Sequence, residues 1–387
     1  MGGFLKHKDA AVTLLFLILS IGLFFFPNEF ANRIDKNAVR CKGTILKVDN
    51  SDVRQHGLIK TGNQDVVLKI EDGPFKGKVL KADNPLLGRL DRDKLFKPGD
   101  EAFVILTVNS KGKIIFVNPQ SYYRLGTEFL LFVMFVAAVL IFGGWTGARA
   151  LLSFLFTALV IWKILIPYTL KGVNPVFLSL GVVAVLTTAI IFLVAGISRR
   201  GVAAFLGSML GISTTCVLAL FFTYKSHING AVMPFSETLL YAGFGKLDLT
   251  QIFIASIFIS ASGAAMDIAM DIAASIDEIA NRNPDLSRFQ LMVSGVRIGR
   301  YVVGTMVTTL LLAYCGGYMT LLMYFMAEGV PVDTMLNIIF VSAEVIKTLT
   351  GSFGLILTAP FTAFVGAYLL GKRKVPQTES LQPSQEL

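Results

Sequence analysis

The stretch Gln251-Ile-Phe-Ile-Ala-Ser-Ile-Phe-Ile-Ser-Ala-Ser-Gly-Ala-Ala-Met-Asp267-Ile-Ala-Met-Asp271-Ile-Ala-Ala-Ser-Ile-Asp277-Glu278 decides the fold class. Residues 251–266 carry no charge. A bilayer core takes about 20 apolar residues to cross as a helix. The stretch therefore reads as a membrane span with Asp267 inside or just beneath the bilayer. Ionisable groups at that depth are costly and mark a pathway or a paired site. Spacing of i, i+4 puts Asp267 and Asp271 on one helix face, and Glu278 continues the stripe.

The rest of the chain agrees. Hydrophobic residues make up 54% of the 387 and charged ones 16%, where a soluble domain carries about 25%. Mean hydropathy is +0.66. The reading is an all-α polytopic membrane bundle, its main partner the lipid bilayer. Spans are expected at 10–26, 127–143, 149–166, 174–196, 202–223, 251–273, 301–325 and 353–371, about eight in all. Lys6 and Lys8 precede the first, which reads as a retained helix because no small-x-small cleavage site follows it.

Residues 28–122 hold 17 Lys/Arg and 12 Asp/Glu and read as a separate domain. Short β-like runs at 40–49, 65–71, 78–82, 102–108 and 113–117 alternate with Gly, Pro and Asn turns, predicting a small OB-like barrel. The organisation is thus an N-terminal helix (1–27), a β-rich domain (28–122), a helical membrane domain (123–374) and a polar tail (375–387). With the N-terminus inside, twelve basic residues fall at inner ends and six at outer ones outside the β-rich domain, led by Arg199-Arg200 and Lys372-Arg373-Lys374. The positive-inside rule then places both termini in the cytoplasm and residues 28–122 outside it.

Several functions are excluded or disfavoured. The net charge of +9 sits at span ends and in the β-rich domain, not in a basic stripe with aromatics, so nucleic acid is not a partner. Cys41, Cys216 and Cys315 lie far apart, with no CxxC or HExxH, so no disulfide framework, metal or cofactor is expected. No nucleophile–base pair or phosphate loop points to an enzyme, and two acids on one helix cannot face each other across a peptide.

The quoted stretch at 261–279 and Ala343-Glu-Val-Ile-Lys-Thr-Leu-Thr-Gly-Ser-Phe-Gly-Leu-Ile-Leu-Thr-Ala-Pro360 resemble signature stretches of the YibE/F-like membrane proteins. So do Gly57-Leu-Ile-Lys-Thr-Gly-Asn-Gln64, Asn84-Pro-Leu-Leu-Gly and Lys97-Pro-Gly-Asp100 in the β-rich part. The resemblance covers nearly the whole chain. It implies a bacterial, multi-spanning protein of the cell membrane without an assigned activity. It also implies that Asp267 is the site residue and Asp271 a variable position.

Two readings of the acids stand side by side. In one, Asp267 and Asp271 form a transport site for an ion or small solute, sharing a proton or holding a cation. Small residues from Gly263 to Ser275 would leave room for water. In the other they clasp Arg297 and Arg300 at the start of the next span. Residues 334–352 are equally double. They read as a re-entrant or broken helix ending at Gly351-Ser352, with Glu344 facing the site, or as a surface amphipathic helix whose Glu344 and Lys347 pair at i, i+3. A third reading makes the protein a non-transporting assembly, sensor or export accessory that grips a protein partner through residues 28–122. Gly/Ala-rich faces would also suit a homodimer.

Overall fold

The computed structural model describes residues 2–27 and 29–371. The basic stop at 372–374 and the tail at 375–387 lie outside the described residues. The chain forms two compact units. One comprises residues 28–142, and the other residues 1–27 together with 143 onward.

The smaller unit holds six strands: β1 (Ala38–Asp49), β2 (Arg54–His56), β3 (Ile59–Ile70), β4 (Val79–Leu87), β5 (Glu101–Val108) and β6 (Ile114–Tyr122). All pairings are antiparallel, in the order β2-β3-β1-β5-β6, with β4 also paired to β3. The expected runs all become strands, and the sheet curls into a half-barrel. Alternation turns Ile45, Leu68, Ile70, Val104 and Leu106 inward, around Phe96. Two polar side chains are fully buried among them. Gln64 accepts from Phe96 N and Asn84 Nδ2, each at 3.0 Å, and donates to Phe96 O and Asn50 Oδ1. This network ties the β4–β5 loop to the sheet and satisfies the Gln64 amide and the Asn84 Nδ2, while Asn84 Oδ1 stays buried without a donor among the described residues. Cys41 is buried in the same core. Burial, and next Asp72, push its thiol up to about 11.

The helical elements are α1 (Gly2–Phe25), α2 (Leu125–Val160), α3 (Ile166–Leu170), α4 (Pro175–Ala195), α5 (Arg199–Lys225), α6 (Ser236–Leu239), α7 (Leu249–Arg282), α8 (Arg288–Gly317), α9 (Met319–Ala327), α10 (Val332–Asn337) and α11 (Ile339–Leu370). Among the described residues, 7 helices are long and apolar enough to cross a membrane. The difference from eight lies at Leu125–Leu170, a stretch of 46 residues that absorbs the expected spans 127–143 and 149–166. It would rise about 69 Å as one helix, twice a bilayer core. Gly144 interrupts it at φ 51°, ψ −128°, a mirror-image extended backbone open only to glycine. The two expected spans are the two sides of that break. Farther along, a π turn at Ile161–Leu165 carries Lys163, whose ammonium donates to the carbonyl of Phe26 just beyond α1. Val12 and Phe16 of α1 pack on Phe156, Val160 and Leu186.

At the centre stands α7, packed by α4, α5, α8 and α11. The tightest seam joins α5 to α11. A Cβ on Gly207 would overlap Thr362, one on Gly211 would overlap Thr358, and one on Gly354 would overlap Thr215. The three pairs run antiparallel at four-residue intervals. Each threonine lies in the seam and donates its hydroxyl to its own helix: Thr358 to Gly354 O at 2.9 Å, Thr362 to Thr358 O at 2.8 Å, Thr215 to Gly211 O at 3.2 Å. The seam is therefore polar but self-satisfied. On its other side α11 meets α8 through Gly295 against Ala363 and Gly299 against Ala359.

That seam corrects the reading of 334–352. There is no re-entrant helix ending at Gly351-Ser352. The break lies at Ile338, extended at φ −66°, ψ 128°, and α11 then runs unbroken through Gly351, Ser352, Gly354 and Pro360. The glycines serve close packing instead of a hinge, because neighbours hold both faces of the helix. The expected span 353–371 is thus 339–370. The expected span 301–325 also shifts. α8 starts at Arg288 behind a Ser287/Gln290 capping box, and a kink at Tyr318 separates α9.

Gly211→Val should destabilise the protein by about 2–3 kcal/mol through overpacking, read as a lower unfolding temperature in detergent. Gly263→Ala, whose Cβ meets nothing within 4 Å, should be neutral or raise it slightly. In the folded protein at pH 8, N-ethylmaleimide should modify Cys315, which is exposed, and spare buried Cys41 and Cys216. Cys41, pushed up to about 11, holds little thiolate at that pH, and Cys216 is buried within α5. Mass spectrometry of labelled peptides reads the result.

Candidate functional site

Helix α7 begins at Asp248, whose carboxylate accepts from Gln251 N at 3.0 Å. Its apolar positions are buried almost all round: Ile254, Ile257, Phe258, Ile268, Ala269, Ile272 and Ala273 are sealed. One stripe is left open, formed by Ser260, Gly263, Asp267, Asp271 and Glu278. Asp267 lies near the middle of the 34-residue helix. Among the described residues, neither Asp267 nor Asp271 makes a side-chain hydrogen bond or an ion pair. Both acids thus share the predicted face, and that face is not covered by this chain.

Arg297 and Arg300 are exposed on α8 and form no ion pair with the acids. The reason is helical geometry. Gly295 and Gly299 carry the α8 contact with α7 and α11, and position 297 is about 200° round the helix from 295. Moreover α8 starts thirteen residues before the expected span, so these arginines sit along its length. A different cation approaches the stripe. Half-buried Arg200, in the first turn of α5, lines a cleft of about 240 Å³ with Asp271, Ala195, Ala204, Met270 and Ala274. Its guanidinium reaches the carbonyl of Ala195 at 3.5 Å.

Toward the other end of the stripe, Ser260 Oγ and the Tyr314 hydroxyl lie 3.1 Å apart, linking α7 to α8. Ser260 is seven residues, or about 10.5 Å, along the helix from Asp267. Lys347 stands over the Tyr314 ring, 4.8 Å from its centroid, and 3.8 Å from Glu344 Oε2. Glu344 and Lys347 thus pair within α11, and through Tyr314 they reach the α7 stripe. Glu344 Oε1 is buried and accepts no hydrogen bond. Gly351 lies beside Ala261 and Tyr314, and Ser352 is buried in the bundle. Neither faces the acids. At the cytoplasm-predicted end, Glu278 pairs with Arg282.

Sequence reasoning passed over Arg200, Ser260 and Tyr314. Arg200 stood out only as half of the Ser-Arg-Arg-Gly turn. Ser260, at i−7 from Asp267, was a signal for the same face. Tyr314 carried none, being one aromatic in an apolar run.

A multi-helix membrane protein with a charged stripe on its central helix and a separate half-barrel unit is the class defined by this fold and face. The chain belongs to the YibE/F-like protein family, whose model matches residues 131–372. The match runs from within α2 to the end of α11 and leaves out α1 and the β strands. No curated protein and no solved structure matches the chain.

The Glu344–Lys347 pair should respond unevenly to truncation. Lys347→Met leaves a carboxylate largely out of water without its cation and should cost about 2–4 kcal/mol. Glu344→Gln leaves Lys347 on the Tyr314 ring and should cost about 1 kcal/mol. The double variant should recover part of the larger loss in thermal unfolding of protein in nanodiscs.

Proposed function

We propose that this protein is a membrane carrier for a proton, an inorganic cation or a small solute, with Asp267 as its coupling charge. One observation carries the reading: two carboxylates near the middle of the central helix are unpaired and lie on its one open face. A charge at that depth is tolerated where water or a moving ion can reach it. Small side chains at 263–264 and 274 leave such a path along the stripe. Asp271, beside the Arg200 cleft, would pass charge to one end, while Ser260, Tyr314 and Glu344 would line the other. Gly351 and Ser352, buried in the bundle, support the helix geometry. In this reading the chain is not an enzyme. It sits in a bacterial cell membrane with both termini cytoplasmic and the half-barrel outside.

A second reading has its own observation. The half-barrel exposes large apolar side chains, with Leu58 at 87% and Leu87 at 71%. These would suit a protein partner, making the chain an accessory rather than a carrier. Both readings are open to one experiment with purified protein in liposomes that trap a pH-sensitive dye, challenged with gradients of cations and of small acids. Wild type should move protons or a cation. Asp267→Asn should lose that flux at least tenfold, with an unchanged unfolding temperature, and Asp271→Asn should lose less. No flux from wild type, with Asp267→Asn altering only stability, would sink the carrier reading and favour the accessory.

A further inference from the structure

A cleft of about 240 Å³ lies where the turn between α4 and α5 meets α7. Its walls are small or slender, from Ala195, Ala204, Met270 and Ala274. Two charges of opposite sign share the lining, Arg200 of α5 and Asp271 of α7. Among the described residues they form no ion pair with each other. Arg200 makes one hydrogen bond, at 3.5 Å, to the carbonyl of Ala195, where a guanidinium carries five N–H donors. The Asp271 carboxylate accepts none among the described residues. Both charges thus line the cleft with most of their hydrogen-bonding capacity open.

We propose that this cleft is a binding site for a small zwitterion, an ammonium and an anionic oxygen group joined by a few carbons. Arg200 takes the anionic end. Its planar fork matches two oxygens of a carboxylate or phosphate. Its place in the first turn of α5 adds the positive end of that helix. Asp271 takes the ammonium, and the alanine and methionine walls receive the carbon chain. Other occupants match only part of the lining. A metal ion or organic cation suits Asp271 but meets the like charge of Arg200. A simple anion suits Arg200 but meets the like charge of Asp271, and such juxtapositions suppress binding. An uncharged apolar group would strip water from both charges and return no hydrogen bond. A zwitterion gives each charge its opposite. Glu344 differs in this respect, because its cation Lys347 already stands beside it on α11. The volume is about eight times one water's share of the liquid, which fits two charged ends and a short chain. A free amino acid and the phosphoethanolamine head of a phospholipid have this chemistry in common. Occupancy needs the cleft alone and does not rest on the carrier reading.

Met270, in the cleft wall, is a native reporter. The full chain, with isotope-labelled methionine methyl groups, is placed in nanodiscs of phosphatidylglycerol and followed by NMR. Loss of one resonance in Met270→Leu assigns the Met270 signal. The probes are γ-aminobutyrate and its two singly charged halves, butylamine and butyrate. γ-Aminobutyrate should shift the Met270 resonance saturably. Each half, lacking one charge-assisted contact, should bind about tenfold more weakly. Arg200→Gln and Asp271→Asn should each weaken γ-aminobutyrate by about the same tenfold factor, with the other methionine resonances unmoved as the sign of an intact fold. If either variant disturbs those resonances, Ala274→Leu, which narrows the cleft and keeps both charges, takes its place and should block the shift. Discs that also contain phosphatidylethanolamine separate the two sources. A Met270 shift on adding that lipid, with no further response to γ-aminobutyrate, assigns the cleft to the head group; an unaltered response assigns it to a free solute. Equal affinity for butylamine would make the cleft a plain cation site, and equal affinity for butyrate a plain anion site, and either overturns the proposal. So does a response that survives both charge variants, or a Met270 signal that neither probe nor lipid moves. The readout is occupancy and not flux, so failure here leaves the Asp267 carrier reading standing, and failure of that reading leaves this one.

Discussion

The close approach of α5 and α11 is the constraint on which the helical unit depends. Between helices in lipid there is no hydrophobic gain to be had, so contact rests on dispersion and on how near two backbones can come. Gly207, Gly211 and Gly354 remove the side chains that would keep them apart, and Thr362, Thr358 and Thr215 fill the gaps so created. Because each hydroxyl is bonded within its own helix, the seam contains polar atoms without leaving them unsatisfied. Gly295 and Gly299 repeat the device between α8 and α11. With α11 gripped on both sides, α7 is held at the centre and its register is set by its neighbours.

From that position follows the character of the candidate site. Helix α7 spends most of its circumference on packing, and what is left is one polar stripe. The same sequence feature that makes the stripe narrow, an alanine- and isoleucine-rich helix, also makes it conspicuous. Among the described residues, Asp267 and Asp271 form no ion pair, although Arg200 lines the cleft beside Asp271, while Glu344 has Lys347 one turn away. The two acidic locations are therefore different in kind: one open and charged, the other self-paired and walled by aliphatic groups. Tyr314 bridges them through Ser260 and Lys347. The half-barrel unit is built on separate principles, with alternating strands around an aliphatic core and the Gln64–Asn84 network holding its loop.

Much of this was legible in the chain. Apolar run length located the cores of the membrane helices, because a bilayer sets a minimum length for crossing, but it placed the starts of α8 and α11 more than ten residues late. Strand alternation and Gly-Pro-Asn punctuation located five of the six β strands but passed over β2 (Arg54–His56), and β3, β4 and β6 each extend five or six residues beyond the expected runs. The face shared by Asp267 and Asp271 followed from i, i+4 spacing, and the Glu344–Lys347 pair from i, i+3. These are local periodicities, and they survive folding because the helix or strand that carries them is regular.

What the sequence by itself determined is therefore which segments are helices or strands and which residues share a face. Only the tertiary structure decided what each face meets. Gly351 and Gly354 look the same in a hinge as in a packed seam, and the outcome rested on Thr215, more than a hundred residues away. Arg297 and Arg300 carry the right charge for the aspartates, yet the contact of Gly295 and Gly299 turns α8 so that they point elsewhere. Arg200, read only as a topology marker, comes instead to the cleft beside Asp271. The rotation of one helix against another is fixed by the fit of small residues over its whole length, and no single pair of residues in the sequence contains it.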